Sequence, residues 1–253
     1  MNAHGKPYKF SLWEAFWRDY LRSPEIYLFL VAVIVLAAQL AWQGALAASV
    51  GWFLLGWLLF LPQEYLTHVY VLHFPPPRHA WLYRQMYRLH YGHHDLPMRS
   101  DLMYIPLWLV LPMLAANLGV FWLIAPDAIA LQAMVAGLMT GYLFYEWSHL
   151  FCHLPYVPKT RLGQFIKRRH ALHHFRNERV LFAVSAPAFF LDHLAGTACI
   201  DEATAGRADR YLGVAEDDPR LLQSRNHFAA RSSGDLTHSK VWLRHIEARM
   251  VKS

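Results

Sequence analysis

Long charge-free stretches dominate the hydrophobic pattern of this chain of 253 residues. No Lys, Arg, Asp or Glu occurs at residues 26–63, 102–126 or 128–145. A helix that crosses the hydrocarbon core of a bilayer needs about 20 apolar residues. We therefore predict an all-α integral membrane protein with four transmembrane helices in two hairpins, at residues 26–42, 45–61, 103–125 and 128–145. The hairpin turns fall at Gln43-Gly44 and Pro126-Asp127.

Composition and charge placement support this prediction. Hydrophobic residues make up 55% of the chain and charged residues 17%, against about 45–50% and 25% in soluble domains. The net charge is +6, and neither hairpin turn contains a Lys or an Arg. Four cations precede the first span and four lie between the hairpins: Lys6, Lys9, Arg18 and Arg22, then Arg78, Arg84, Arg88 and Arg99. All the others follow the fourth span. The positive-inside rule then predicts that both termini and the central segment are cytoplasmic, and the basic balance does not indicate nucleic-acid binding.

The chain divides into three regions. Residues 1–25 predict an amphipathic interfacial segment, because aromatic residues recur at three- and four-residue spacing; an ordinary pre-membrane aromatic belt is the alternative. These aromatics are Phe10, Trp13, Trp17 and Tyr20. Residues 26–200 form the membrane domain, and residues 201–253 form a charged, polar C-terminal tail. The acidic residues Glu14 and Asp19 argue against a cleavable signal peptide.

Ten histidines form four groups between residues 68 and 174. The groups are His68-x4-His73, His90-x2-His93-His94, His149-x3-His153 and His170-x2-His173-His174, called boxes one to four below. A neutral imidazole binds transition metals without adding negative charge. Because one such ion takes about four to six ligands, ten histidines predict a two-metal centre. We expect all ten to be metal ligands and, through the metals, catalytic residues.

Helix geometry indicates how the boxes could bind. Residues three and four apart share one face of an α-helix, so His149 and His153 can reach one ion. The two triplets repeat this spacing, and each adds an adjacent histidine that can turn toward a second ion. His68 and His73 are about 140° apart on an ideal helix. Both can bind only if the helix ends, widens or straddles the two metals there.

Carboxylates near the boxes are candidates for supporting the ligands. Ligating histidines usually donate their second ring N–H to a carboxylate or carbonyl. Glu64 precedes His68 by four residues, and Glu146 precedes His149 by three. We predict that Glu64, Glu146 and Asp192 support the ligating histidines in this way. Further options are Asp95 and Asp101, then Tyr145 and Asn177.

The remaining histidines and the cysteines lack ligand spacing. We expect His79 and His193 to lie outside the metal site, and the tail residues His227, His238 and His245 to be solvated. Cys152 and Cys199 do not form a disulfide framework. Cys152 precedes His153 directly and so points to another helix face, where we expect it to pack.

Iron suits the predicted centre better than zinc. A nitrogen-rich pair of iron ions can activate dioxygen, whereas zinc does not change oxidation state, although zinc could substitute in a purified form. A centre at the membrane surface would meet an apolar chain entering from the bilayer, which predicts lipid oxidation. A metal transporter is the second hypothesis, but it predicts ionisable residues at the span centres, where none occurs. A membrane zinc hydrolase is the third, and its activity would not need oxygen.

The boxes resemble those of the fatty acid hydroxylase/sterol desaturase family of membrane di-iron enzymes, and their order is most similar to that of fatty acid 2-hydroxylases. Residues 141–153, GYLFYEWSHLFCH, are similar to the third box with its preceding span, and residues 170–175, HALHHF, match the fourth. Residues 185–197, with Asp192 before Gly196, resemble the closing motif. The resemblance covers about residues 50–200. Val69 stands where the family commonly has Arg.

The resemblance implies a four-helix membrane stalk under a cytoplasmic helical cap that holds two iron ions. It also implies O2-dependent hydroxylation of a fatty acyl chain in lipid biosynthesis, with two electrons from an external donor. No haem-binding cytochrome b5 module precedes the first span, so a separate cytochrome or ferredoxin is expected. A desaturase, or a hydroxylase of a sterol or carotenoid, remains open within the family.

Overall fold

A computed structural model describes residues 12–97, 99–199 and 214–229, which are helical with no β-strand. The helices are α1 (Leu12–Ala15), α2 (Pro24–Trp42), α3 (Leu46–Thr67), α4 (Ala80–Met86), α5 (Gly92–Asp95), α6 (Ser100–Met103), α7 (Leu107–Ile124), α8 (Ala128–His153), α9 (Arg161–Phe175), α10 (Phe189–Leu194) and α11 (Pro219–Ala229). The π-helical turns Phe16–Tyr20, His68–Leu72 and Tyr87–Tyr91 continue α1, α3 and α4. The 3₁₀ turn Ala186–Ala188 leads into α10.

Four of these helices are long and apolar enough to cross a membrane, as the charge-free stretches predicted: α2, α3 with its π turn, α7 and α8. The third begins at Leu107 instead of residue 103, because Pro106 separates it from the short helix α6. The second and fourth run past their predicted ends. At 26 residues, α8 is about 39 Å long, whereas the hydrocarbon core is about 30 Å thick. Its last turns therefore carry His149 and His153 beyond the core.

Helix α8 is the centre of the bundle and packs most extensively against α3 and then α2. Small residues allow the α3–α8 contact. A Cβ on Gly137 would lie 2.0 Å from the Phe53 carbonyl oxygen, and one on Gly56 would lie 2.0 Å from that of Met134. Gly137 and Gly141 form the small-residue pair expected for close packing, with Gly141 against the Phe60 ring. The assignment to two hairpins stays a prediction.

This close approach makes Gly137→Ala strongly destabilising. The added methyl group would meet backbone that cannot rotate away, so α3 and α8 must separate, at a cost of about 1–3 kcal/mol or more. Gly119→Ala in α7 is the matched control, because its Cβ meets no described atom within 4 Å and alanine favours helices by about 1 kcal/mol over glycine. Thermal unfolding in detergent should show a lower midpoint for Gly137→Ala alone. Equal midpoints would contradict the close contact.

The N-terminal aromatic residues divide between two environments. Trp13 and Trp17 are exposed, whereas Phe16 and the buried Tyr20 pack their rings against Trp147 of α8. The Tyr20 hydroxyl donates to the Leu143 carbonyl oxygen. Phe10 lies outside the described residues. The described part of this segment is thus attached to the bundle, and its interfacial role stays a prediction.

Candidate metal centre

The structure brings all ten box histidines together in two adjacent clusters. Cluster one contains His68, His73, His90, His94 and His173, and cluster two contains His93, His149, His153, His170 and His174. Within each cluster, one ring nitrogen from every member lies within 4.8 Å of all the others. Nine of the ten rings are buried, and His73 is partly exposed.

A widened helical turn explains how box one contributes both of its histidines. The backbone N–H of His73 donates to the carbonyl oxygen of His68 at 3.0 Å, which is the i to i+5 bond of a π-helix. The π turn His68–Leu72 therefore brings two residues five apart onto one side, and both enter cluster one.

The two triplets divide between the clusters in opposite ways. His90 and His94, four residues apart, enter cluster one, while His93 enters cluster two. In the other triplet His170 and His174 enter cluster two, while His173 enters cluster one. The adjacent histidines thus face different clusters, as predicted from helix geometry. The rings of His94 and His174 stack across the boundary, with centroids 4.1 Å apart.

The facing atoms suit a metal ion. In cluster two the Nε2 atoms of His149 and His93 are 2.8 Å apart, and those of His153 and His170 are 2.7 Å apart. Cluster one has corresponding Nε2 separations of 2.9–3.2 Å around His90. Two imidazoles bound at right angles to one ion, with metal–nitrogen distances of about 2.1 Å, have nitrogens about 3 Å apart. The buried Nε2 of His173 also has no hydrogen-bond partner among the described residues, so the donor set fits two metal ions.

Burial keeps the rings outside the membrane-spanning segments in the neutral form that binds metal. It lowers the pKa of each imidazole well below the ordinary value of 6.5, and neighbouring histidines lower it further. These residues are His73, His90, His93, His170, His173 and His174. In each neutral ring, the nitrogen that carries no proton can therefore bind a metal ion at neutral pH without first releasing a proton.

Two backbone carbonyls orient cluster one from outside. His68 donates through Nδ1 to the Phe182 oxygen at 2.5 Å, and His173 donates through Nδ1 to the Val180 oxygen at 2.8 Å. Both carbonyls belong to residues 180–185, called the strap here. Leu181 in the strap has φ 59°, an unusual conformation for a bulky residue that is maintained only by firm surroundings. Holding the strap in place thus fixes which nitrogen of each ring faces the cluster.

Two buried carboxylates hold the strap. Glu64 accepts from the backbone N–H groups of Val184 and Ser185, both at 2.9 Å, and from the Ser185 hydroxyl. Asp192 accepts from the N–H groups of Phe182 and Ala183 at 2.9 and 3.0 Å. It also accepts from Thr197 Oγ1 and from the buried guanidinium of Arg169, both at 2.7 Å. Glu64 and Asp192 were predicted to support the ligating histidines. In the structure they bind the backbone segment whose carbonyls orient two of the rings.

Two further carboxylates lie closer to the rings. Glu146, fully buried, has Oε2 4.0 Å from His149 Nδ1, and its Oε1 accepts from the Ile105 N–H at 3.2 Å. Glu178, which the sequence analysis missed, has Oε1 3.3 Å from His94 Nδ1 and is also buried. Glu178 follows His174 by four residues, the spacing that drew attention to Glu64.

The other candidates lie outside the two clusters. Asp101 pairs with Arg99, and Asn177 accepts from the N–H of Arg179. Tyr145 stacks on His149 with ring centroids 5.8 Å apart. The remaining histidines are His79, which caps α4, His193, which is exposed, His227, whose ring contacts Phe228, and His238 and His245, which lie outside the described residues. Cys152 is buried, Cys199 is exposed, and both are free thiols.

Helix α11, part of the predicted polar tail, packs on the segment that carries box two. Arg225 makes two bonds to Asp95, at 2.7 and 2.8 Å, and Tyr87 donates to the same carboxylate at 2.6 Å. Phe228 stacks on the Tyr87 ring, and Leu221 is fully buried. Because Asp95 follows His94 directly, this contact fixes the end of box two.

Arg225→Ala should therefore destabilise the protein by about 1–3 kcal/mol, because a buried carboxylate loses its cation. The matched control is Arg18→Ala, whose ion pairs lie at the surface and contribute less than about 1 kcal/mol. Thermal unfolding of both variants measures the difference. If Arg225→Ala and Arg18→Ala unfold alike, α11 does not hold box two.

A mostly apolar cavity lies between α2, α3, α7 and α8. Its lining residues include Phe29, Phe60, Val110, Met113, Leu114, Asn117 and Leu138. At one end it is lined by Thr67 and Leu72, which precede His68 and His73 in the chain, and by Tyr145, which stacks on His149. The cavity thus adjoins the metal centre, and its lining of mostly apolar side chains with a few polar groups is typical of a ligand site.

Comparison with known proteins identifies this arrangement. The fatty acid 2-hydroxylase of Homo sapiens is 30% identical to this chain over 142 residues, which cover 53% of this chain and 36% of that protein. The fatty acid 2-hydroxylase of Rattus norvegicus is 29% identical over 142 residues, which cover 54% of this chain and 37% of that protein. The chain thus spans just over a third of the length of these relatives. The ceramide very long chain fatty acid hydroxylase scs7 of Schizosaccharomyces pombe is 25% identical over 60% of this chain and 43% of that protein.

The fold is also that of a solved hydroxylase domain. The structure of full-length scs7p, in which only the hydroxylase domain is visible, superposes with a TM-score of 0.62 and 25% identity, covering 72% of this chain and 67% of that chain. A family model described as fatty acid hydroxylase matches residues 52–197, more than half of the sequence and all four boxes. The chain therefore belongs to the fatty acid hydroxylase family.

Proposed function

We propose that this protein is an O2-dependent di-iron monooxygenase that inserts one oxygen atom into a lipid acyl chain, as a fatty acid 2-hydroxylase does, in lipid biosynthesis. The observation that carries the proposal is the pair of five-histidine clusters adjoining an apolar cavity among the membrane-spanning helices. The ten histidines are proposed as the metal ligands. Family membership supports the acyl substrate.

The proposed reaction converts a C–H bond, O2, two electrons and two protons into a C–OH group and water. Two bound iron ions would supply the activation of dioxygen. The electrons come from a separate cytochrome or ferredoxin. The distribution of cations supports a cytoplasmic position for both termini and the metal centre, where such a donor is accessible.

The protein's own residues bind, orient and exclude water. Neutral imidazoles bind the ions, while the strap carbonyls of Val180 and Phe182 fix the rings of His173 and His68. The apolar lining of the cavity excludes water and favours a hydrocarbon chain. Because the clusters adjoin one end of the cavity, a chain whose tail fills it presents the carbons nearest its polar head. This geometry favours attack close to the carboxyl group.

The test is expression in a host that lacks hydroxy fatty acids, together with a suitable electron donor, followed by mass spectrometry of saponified lipids. We expect 2-hydroxy fatty acids with the wild type and none with His149→Ala. His79→Asn is the matched control, because it removes an imidazole outside the clusters while keeping a good helix-capping side chain. Identical lipid profiles for wild type and His149→Ala, at equal protein levels, would refute the proposal.

The same analysis separates the alternatives. New double bonds in place of hydroxyl groups would indicate a desaturase, and hydroxylated sterols or carotenoids would indicate another substrate class. Activity without oxygen would indicate a hydrolase. Each of these outcomes contradicts acyl hydroxylation.

A further inference from the structure

Residues 182–191 pack against α3, one of the four helices long enough to cross a membrane. The strap is bonded to Glu64 of α3, and the 3₁₀ turn Ala186–Ala188 contacts the same helix. Apolar residues of α3 and of residues 182–191 form one cluster. Its members on α3 include Trp57, Leu61 and Tyr65, and its members on the other side include Phe182, Ala188 and Leu191.

Helix lengths indicate how far the hydrocarbon core extends along α3. The spans α2 and α7 are 19 and 18 residues long, or about 28 Å, close to the core thickness of about 30 Å. Both reach the far membrane face beside the turns that lead to Leu46 and Ala128. The same length measured along α3 from Leu46 ends near Tyr65. Trp57 and Leu61 therefore lie inside the core, and the apolar cluster that they share with residues 182–191 extends into it.

Among the residues that the structure describes, the outer face of this region is apolar and exposed. On α10, Phe190 is 50% exposed and Leu194 is 78% exposed. Leu162 and Phe165 of α9 are 61% and 51% exposed. The Phe165 ring packs against the Phe189 ring of α10, with ring centroids 5.9 Å apart, so the two helices are in contact. The acidic residue of α10, Asp192, is buried.

Exposed cations border this apolar face. Arg161 and Arg168 lie one turn on either side of Phe165 along α9 and are exposed. No Asp or Glu occurs from residue 147 to 177. Neither arginine forms an ion pair with a described acidic residue. An apolar face bordered by such arginines is typical of a helix that lies in the membrane interface, with its aromatic residues among acyl chains and its cations at the phosphates.

We infer that α10 and the exposed face of α9 are inserted into the lipid leaflet on the side of the metal centre. The lipid acyl chains cover Leu162, Phe165, Phe190 and Leu194, while Arg161 and Arg168 bind lipid phosphates. The strap that orients His68 and His173 is itself largely buried, and the protein surface that covers it then faces lipid instead of water. This inference depends on the four spans and does not depend on the proposed reaction.

Site-directed spin labelling tests the inference. Leu194→Cys and, separately, Phe190→Cys are labelled in a Cys199→Ser background, because Cys199 is exposed and Cys152 is buried. The control is Leu222→Cys. Leu222 is 43% exposed and lies on α11, the helix that packs on the segment carrying box two. All are reconstituted in vesicles of phosphatidylcholine and phosphatidylglycerol, and accessibility to oxygen and to a water-soluble nickel chelate is measured.

Oxygen concentrates in lipid and the chelate in water. Labels at residues 190 and 194 should both be more accessible to oxygen than to the chelate, and the label at residue 222 should show the reverse. The inference fails if the labels at 190 and 194 match the control. It also fails if they are protected from both reagents, because a protein surface would then cover this face.

Discussion

Replacing His90 in cluster one or His153 in cluster two by alanine is expected to lower acyl hydroxylation by a factor on the order of a thousand or more. Each substitution removes a proposed ligand whose Nε2 lies about 3 Å from those of its neighbours. A lost ion would cost several kcal/mol of catalysis, and each 1.36 kcal/mol corresponds to a tenfold change in rate. The measurement is product formation per mole of purified protein with a reconstituted donor.

Equal sensitivity of the two clusters is the informative part of this prediction. If the ions act as one centre, loss of either one abolishes the reaction. Full activity in either variant would show that its cluster is not needed for the chemistry. The control His79→Asn, outside both clusters, should retain wild-type activity.

Replacing Asp192 by alanine is expected to be the most destabilising single change outside the clusters. Asp192 is fully buried and accepts bonds from two backbone N–H groups, a hydroxyl and Arg169. Removing one partner of a buried ion pair costs about 3–5 kcal/mol, because the other charge remains without compensation. The strap also loses one of the two carboxylates that hold it, so metal binding should weaken together with the unfolding midpoint.

Asp101→Ala is the control for this change. Its partner Arg99 is also held by the Phe228 carbonyl oxygen, and the Asp101 side chain is 53% exposed, so we expect an effect below about 1 kcal/mol. The measurement is thermal unfolding of the detergent-solubilised proteins, with metal content determined in parallel. If Asp192→Ala unfolds at the wild-type midpoint, the strap is held by other contacts.

The sequence predicted the four spans because runs without charge are visible along the chain. The predicted spans end at residues 61 and 145, before the carboxylates Glu64 and Glu146, whereas α3 and α8 continue to Thr67 and His153. In the structure Glu64 is buried because three donors from residues 184 and 185 satisfy it. Such compensation by distant segments cannot be predicted from local hydrophobicity.

Spacing within one helix predicted the division of each triplet between two clusters. It could not decide the pair His68 and His73, whose approach depends on a π turn. The groups that orient the rings could not be predicted from the sequence for a different reason. Phe182 is 114 residues from His68, and its backbone carbonyl could have come from any residue type. Helix α11 was missed because its two buried contacts, Leu221 and Phe228, stand among charged residues.

The most direct test of the central claim, that ten imidazoles bind two metal ions, is the metal content of the purified protein after loading with ferrous iron without oxygen. Elemental analysis should find about two iron ions per wild-type chain and in His79→Asn, and fewer in both His90→Ala and His153→Ala. A wild-type chain that binds no iron, or that keeps the same content in both cluster variants, would contradict the account.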